Sequence, residues 1–462
     1  MFDVNVAIIG EMKAFLHMAH NRYDLQQLFC LDICKDFSRN RKLSFPLLAM
    51  FIARLCKRSL SLELERFFAD LDAACSLTTA TPSPDHVPLP CSVSAYSQQR
   101  KKLHPCFFRL WNEVLCQSFY HYTRPEQIRR WKDLRVIAAD GSSVALVSTE
   151  ALQTHFGGQS NQNGAFCAAR TFYYYDTLNH IITDALIAPY RSPELFIAYG
   201  RIDALPDDSV TVYDRNFCNY KMMALHLWAE RAKRFLIRAK ESQRYVSDFI
   251  DRGSDQEVIT LLPPGPGTIK SMRQSGFIIS ATTGISVRLV RVELPGGGIE
   301  VLATNLMAED GYCVQDLKEL YFMRWGVETS ISMQKNILML ESFSGQSVVS
   351  VEQDFYATVM MSNLEMCLLK DAQQTLDEQR LDGKRKYDRY PVQVNRNKAA
   401  CRIKERLLDL FMSKEPLDIL EQLNCHFIRD VLPVRKGRRF ERKRKNRRLN
   451  SKHKTFTNYK IA

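Results

Sequence analysis

No stretch of this 462-residue chain approaches the roughly 18 consecutive apolar residues that a membrane-spanning helix needs, so no segment is expected to cross a bilayer. Tryptophan is scarce, at four residues, and none falls between 241 and 305. Cysteine is present thirteen times, an odd number without repeated spacing, which argues against a disulfide framework. Cys30 and Cys34 are four apart on an expected helix, but no second ligand pair follows at zinc-site spacing, and two semi-buried helix positions is the simpler reading. The opening MFDVNVAIIGEMK lacks the cationic-then-apolar pattern of a secretory signal, so a cytoplasmic protein with reduced thiols is expected. Acidic residues are nearly missing from one window: residues 435–460 hold thirteen Lys/Arg against Glu441 alone, and that window carries almost all of the net charge of +13. A basic tail on a nearly neutral body suits a polyanionic partner, most simply nucleic acid, held in part by counterion release. A merely solubilising tail is the plainer alternative.

What the chain does contain is a hydrophobic fraction of 45%, including 26 phenylalanines, on a length that calls for two or three structural units. Residues 1–132 are patterned as helix. SFPLLAMFIARLCKRSLSLELERFFADL (44–71) repeats apolar residues at three and four positions, and the proline-rich TTATPSPDHVPLP follows as a connector. SVSAYSQQRKKLHPCFFRLWNEVLCQSF (92–119) places Arg100, Lys101 and Lys102 between two helical runs. That suits a helix-turn-helix DNA reader, although a plain bundle with a solvated charged face is favoured by periodicity alone.

From residue 134 the texture turns to strand. LRVIAA ends at Asp140; RTFYYYD and HIITDALIAP are joined by a tight turn; Ser192 and Pro193 mark a helix start as N-cap and first helical residue; SVTVYD ends at Asp214. Strands and helices then alternate, as in a mixed α/β sheet covered by helices. Residues 241–305, with LLPPGPG and ISVRLVRVELPGGGIEVLATNL, are expected to be an all-β insertion. Helix returns over 314–340 and 351–372, LDEQRLDGKRKYDRYPVQ is expected to be a flexible connection, and 396–422 is helical again.

Asp140 and Asp214 stand at the C-terminal ends of expected strands, where acids can hold hard cations, but Asp before Gly is equally an ordinary turn former. On the 314–340 helix, Tyr321, Arg324, Glu328 and Lys335 fall within an arc of about 60° at the ~100° per residue of an α-helix. Such a stripe is either a solvated face anchored by Phe322, Trp325, Ile331 and Met333, or a phosphate grip around a metal-binding carboxylate. Arg215 is equally suited to DNA contact or to an ion pair, Trp325 to a core anchor, and the FYYY run (172–175) to strand packing. His155 and His180 have no partner at metal-ligand spacing.

The spacing Y-x2-R-x3-E-x6-K of these four residues, with AADGS at 138–142 and VYDRNF at 212–217 in the same order, resembles the insertion-sequence type-4 family of bacterial DDE transposases. The resemblance implies an α/β fold: a ribonuclease-H-like mixed sheet with an all-β insertion, preceded by an α-helical domain and followed by a helical, basic C-terminal region. The implied domains are 1–132 for DNA-end binding, 133–240 with 306–372 as the catalytic core, 241–305 as the insertion, and 373–462 as the C-terminal region. It also implies that Asp140, Asp214 and Glu328 are catalytic and bind two Mg²⁺ ions, with Mn²⁺ able to substitute, while Tyr321, Arg324 and Lys335 bind DNA phosphates. The implied activity is cleavage at element ends and strand transfer. The implied partners are double-stranded DNA, both terminal inverted repeats and target, and a second copy in a homodimeric synaptic complex, on the bacterial nucleoid. Two departures stand out: Asn216 where relatives commonly have glycine, with asparagine's tolerance of left-handed angles keeping the turn, and no tryptophan in the insertion to hold a flipped base. The rival readings are a domesticated, catalytically silent DNA-binding protein and a nuclease without strand transfer.

Overall fold

The computed structural model describes residues 3–32, 35–39, 41–76, 90–161, 164–294, 297–384 and 389–435. Cys34, most of the proline-rich connector and all but the first residue of the basic tail lie outside them. The chain forms two compact units, Met1–Pro125 with Val144–Ala169 and Ser332–Ala462, and Glu126–Ser143 with Arg170–Ile331.

Aromatic burial organises the first unit. Phe107 meets Phe15, Phe29, Phe45, Phe108 and Trp111, with ring centroids between 5.1 and 5.6 Å. Trp111 is fully buried in the helix Cys106–Tyr122, donates its indole N–H to the Met12 carbonyl at 3.0 Å and packs edge-on against Phe411. Chain segments far apart in sequence therefore share one core, and the long helix Val348–Leu381 runs through it with nineteen buried residues. That helix begins at a Ser347/Ser350 capping box and stays ordered to Leu381, because Leu376 is buried; the connection expected flexible from 376 is helical for its first turn and a half. The helically patterned stretch 44–71 forms two helices, Phe45–Ala53 and Leu60–Ser76, separated where Leu55 takes a left-handed φ of 53°.

Arg100 is not part of a basic surface. Only 4% exposed, it donates to Asp354 Oδ1 at 2.6 Å, Gln353 Oε1 at 2.7 Å, Ser344 Oγ at 2.6 Å and the Ser350 carbonyl at 2.9 Å. Asp354 in turn accepts from the Ser344 N–H at 2.6 Å, so one buried guanidinium ties the turn 344–350 to the helix Val93–Arg100.

A sheet, most of it in the second unit, positions the aspartates. β1 (Arg135–Leu146), β2 (Gly158–Asn161), β3 (Gly164–Asp176), β4 (Ile181–Pro189), β5 (Ser209–Tyr213), β6 (Arg234–Arg238), β7 (Gln256–Leu261), β8 (Ile285–Glu293) and β9 (Ile299–Thr304) pair in the order β2-β3-β1-β5-β6-β9-β8-β7, with β4 on β3. The subset β4-β3-β1-β5-β6, with β5 parallel to both β1 and β6, is the expected ribonuclease-H-like sheet. Its β5 is buried at every position and packs Val210 and Val212 on one face and Tyr213 on the other, as a central parallel strand covered on both sides should.

The segment 241–305 is β-rich but not all-β. Besides β7, β8 and β9 it holds the helices Arg244–Arg252 and Pro266–Gln274. Val246 and Phe249, three apart on the first, and Met272 on the second bury against the sheet, which is helical spacing that the surrounding strand signals masked. β8 and β9 pair antiparallel, with Gly297 between them at φ 79°, and β9 joins the main sheet antiparallel to β6.

Candidate active site

Register places the two aspartates. β1 and β5 run parallel with Ala138 opposite Val212. Two residues further along the chain come Asp140, still within β1, and Asp214, the residue after the end of β5, so the parallel register brings both acids to the same end of adjacent strands, close enough for the Asp214 carboxylate to act on Asp140. Contrary to the expectation from the sequence, Asp140 does not end its strand: β1 continues through Gly141 to Leu146, and it is β5 that stops at Tyr213. Asp214 instead caps a short 3-10 turn, its Oδ1 accepting from the Asn216 N–H at 2.8 Å. Asn216 is not among the described residues with left-handed φ, so the turn needs neither glycine nor asparagine's backbone tolerance.

Arg324 joins the first strand to the signature helix. The expected single helix is two, Val314–Met323 and Trp325–Asn336, with Arg324 at the junction. Its guanidinium donates to Glu328 Oε1 at 2.8 Å and lies 3.7 Å from Asp140 Oδ2, while sitting over the rings of Tyr321 at 5.8 Å and Trp325 at 5.2 Å. Arg324 is buried, whereas Phe322 and Trp325 are 56% and 52% exposed. These two aromatics are therefore not the anchors of the helix; Leu317, Leu320, Val327 and Ile331 are. Beside Arg324, a cavity of about 190 Å³ is lined in part by Tyr321, Phe322 and Trp325.

The charges in this cluster act on one another. Burial pushes the Asp140 carboxyl up to about 6; Arg324 opposes that shift, and the carboxylates of Asp214 and, less, Glu328 add to it. The Gly141 N–H donates to Asp140 Oδ1 at 2.8 Å and favours the ionised form. Burial and the neighbouring Arg324 act in opposite directions on Tyr321, and burial prevails, raising its phenol.

Five of the six residues singled out from the sequence thus meet in one unit: Asp140, Asp214, Tyr321, Arg324 and Glu328. Lys335 lies on the same helix as Glu328 but belongs to the other unit, where its Nζ is 3.9 Å from Glu341. Arg215, beside Asp214, is exposed and makes no ion pair among the described residues. His180 holds a left-handed φ of 60° in the β3–β4 turn and bonds Tyr175, and His155 lies 3.9 Å from Glu352. Glu194 and Arg170, which pair beside Gly141, escaped the sequence reading because a glutamate in the first turn of a helix is ordinary.

The donor set suits a hard divalent cation: three carboxylates, with one guanidinium as the counter-charge already present. Among the described residues no three His, Cys, Asp or Glu side chains converge into a ready-made cage.

The chain is similar to known transposases. "Putative transposase InsZ" of Escherichia coli (strain K12) is 27% identical over 90 residues, 19% of this chain and 30% of that protein, so the match spans less than a third of the relative's length. A solved structure, "Cryo-EM structure of piggyBac transposase synaptic complex with hairpin DNA (SNHP)", aligns with 95% of this chain and 86% of its own at 9% identity, with a TM-score of 0.43. The family described as "Transposase DDE domain" matches residues 131–364, a span that includes Asp140, Asp214 and Glu328. Matched over more than half of its length, the chain belongs to the transposase DDE domain family.

Proposed function

We propose that the chain is a DNA transposase that cuts phosphodiester bonds at the ends of its own insertion sequence and joins the freed ends to target DNA. The observation that carries this reading is the parallel β1–β5 register that sets Asp140 beside Asp214, with Arg324 bridging Asp140 and Glu328. Two divalent cations, Mg²⁺ in the cell and Mn²⁺ in substitution, would be held by Asp140, Asp214 and Glu328 and would supply the charge that activates the attacking oxygen and steadies the leaving one.

The remaining work falls to the chain itself. Arg324 has the planar fork that matches two phosphate oxygens, and its present partners are the carboxylates that would turn to a cation. The Tyr321 ring beneath it limits the directions in which the fork can point. Lys335, two turns beyond Glu328 on the same helix, adds a point charge for a neighbouring phosphate. Arg215 offers an exposed cation next to Asp214. Water attacks the scissile phosphodiester first and leaves a 3′-hydroxyl; that hydroxyl then attacks target DNA, one P–O bond forming as another breaks. Terminal inverted repeats would be recognised by the helical segments before residue 132, and two chains would pair two ends.

The test is a DNA end fragment incubated with the protein and Mg²⁺, alongside Asp140→Asn, Asp214→Asn and Glu328→Gln. Nicking by the wild type, its loss in EDTA and in all three variants, and retained end binding are expected. A wild type that binds ends but never nicks them with Mg²⁺ or Mn²⁺ would instead be the catalytically silent DNA-binding protein, and a wild type that nicks but never joins would be a nuclease.

A further inference from the structure

A fourth carboxylate stands against the candidate site. β4 ends at Pro189, the Ser192 N–H closes back on the Pro189 carbonyl at 2.9 Å, and Pro193 rather than Ser192 takes the N-cap position, so Glu194 opens the helix Glu194–Tyr199. Its side chain lies directly on Gly141, the residue after Asp140. A Cβ placed on Gly141 would meet Glu194 Cδ and Oε1 at 2.3 Å, a separation that no real Cβ tolerates. The φ of Gly141 is outside the left-handed range, so glycine is needed here for space and not for backbone freedom.

Arg170, on β3, holds the carboxylate from its other side. Its Nη1 donates to Glu194 Oε1 at 2.8 Å, its Nη2 reaches the Tyr190 carbonyl at 3.4 Å, and the guanidinium lies 5.1 Å over the Tyr190 ring. Glu194 therefore cannot swing away from Gly141 without breaking a partly buried ion pair. This position is electrostatically unfavourable for an acid: burial raises the Glu194 carboxyl, Arg170 opposes the shift, and the Asp214 carboxylate reinforces it. Arg170 offsets that repulsion, so the pair keeps a carboxylate beside Asp140 and Asp214 where burial alone disfavours one.

We propose that Glu194, gripped by Arg170 and seated on Gly141, is a positioning residue of the active site: it fixes the backbone that carries Asp140 and completes the negative field that Asp140 and Asp214 present to divalent cations. The inference rests on the metal-dependent reading of Asp140, Asp214 and Glu328. Residues that orient metal ligands without touching the metal alter affinity by about 10–100-fold when changed.

The measurement is Mn²⁺ binding to the DNA-free protein, followed by the loss of the free-ion electron paramagnetic resonance signal, together with end binding in EDTA and the melting midpoint. Glu194→Gln is expected to weaken Mn²⁺ binding by about tenfold, leaving end binding in EDTA and melting unchanged. If Glu194→Gln melts early, Glu194→Asp carries the test, since it keeps the charge but withdraws it from Gly141; weaker Mn²⁺ binding supports the role. Wild-type Mn²⁺ binding in the folded variant overturns it. Asp140→Asn separates the two levels: if it loses Mn²⁺ binding while Glu194→Gln does not, only the role of Glu194 falls. If Asp140→Asn binds Mn²⁺ and cleaves as the wild type does, the catalytic reading falls.

Discussion

Arg324 shows how much one side chain can be asked to do. It is buried, bonded to Glu328 and close to Asp140, so replacing it by alanine leaves two acids facing each other across a space once filled by a cation. Arg324→Lys is the more informative change, because it keeps the charge and removes the fork. Cleavage is expected to fall by about 10²-fold, as for loss of one oriented donor at a transferring group, while end binding measured by gel shift changes far less. Equal loss of both would mean that Arg324 serves the fold. Arg100 makes the opposite case. Charged, next to Lys101 and Lys102, it suits a DNA contact by sequence, yet its partners are Asp354, Gln353, Ser344 and Ser350. Arg100→Ala should cost about 3–5 kcal/mol by stranding Asp354, read as a lower urea midpoint, and the double change Arg100→Met with Asp354→Leu should cost less.

Elements differ in how clearly the sequence announced them. β1, β5 and the antiparallel β8–β9 pair were legible because short apolar runs are bounded by Asp, Gly or Pro, and the β4 run likewise. The helices Arg244–Arg252 and Pro266–Gln274 were not, since each is nine residues long and sits between strong strand signals. The junction at Arg324 was also invisible, because the residue keeps right-handed helical angles and the helical periodicity carries through it. The start of the Val348–Leu381 helix is a local device that can be checked alone. Ser347 Oγ accepts from the Ser350 N–H at 3.2 Å, and Ser347→Ala should cost about 1 kcal/mol, seen as a small drop in denaturation midpoint with cleavage unaltered.

For the whole molecule, charge distribution is the property that sequence alone makes quantitative. The window 436–460 holds twelve Lys/Arg. Deleting residues 436–462 should flatten the slope of log affinity against log salt by nearly one unit for each phosphate that the tail neutralises, measured on DNA without an element end; an unchanged slope would make the tail a solubilising segment. No helix among the described residues is long and apolar enough to cross a membrane. Sequence alone determined the candidate residues, the order of acids along the chain and the place of the basic charge, because residue type, spacing and strand boundaries are local properties. Tertiary structure decided which of them meet. The parallel register of β1 and β5, pairing segments more than seventy residues apart, sets Asp140 beside Asp214. Burial turned Arg100 from a surface cation into a structural one, and the close approach of Glu194 to Gly141 added an acid that no spacing pattern marks, because such proximity depends on packing between distant segments.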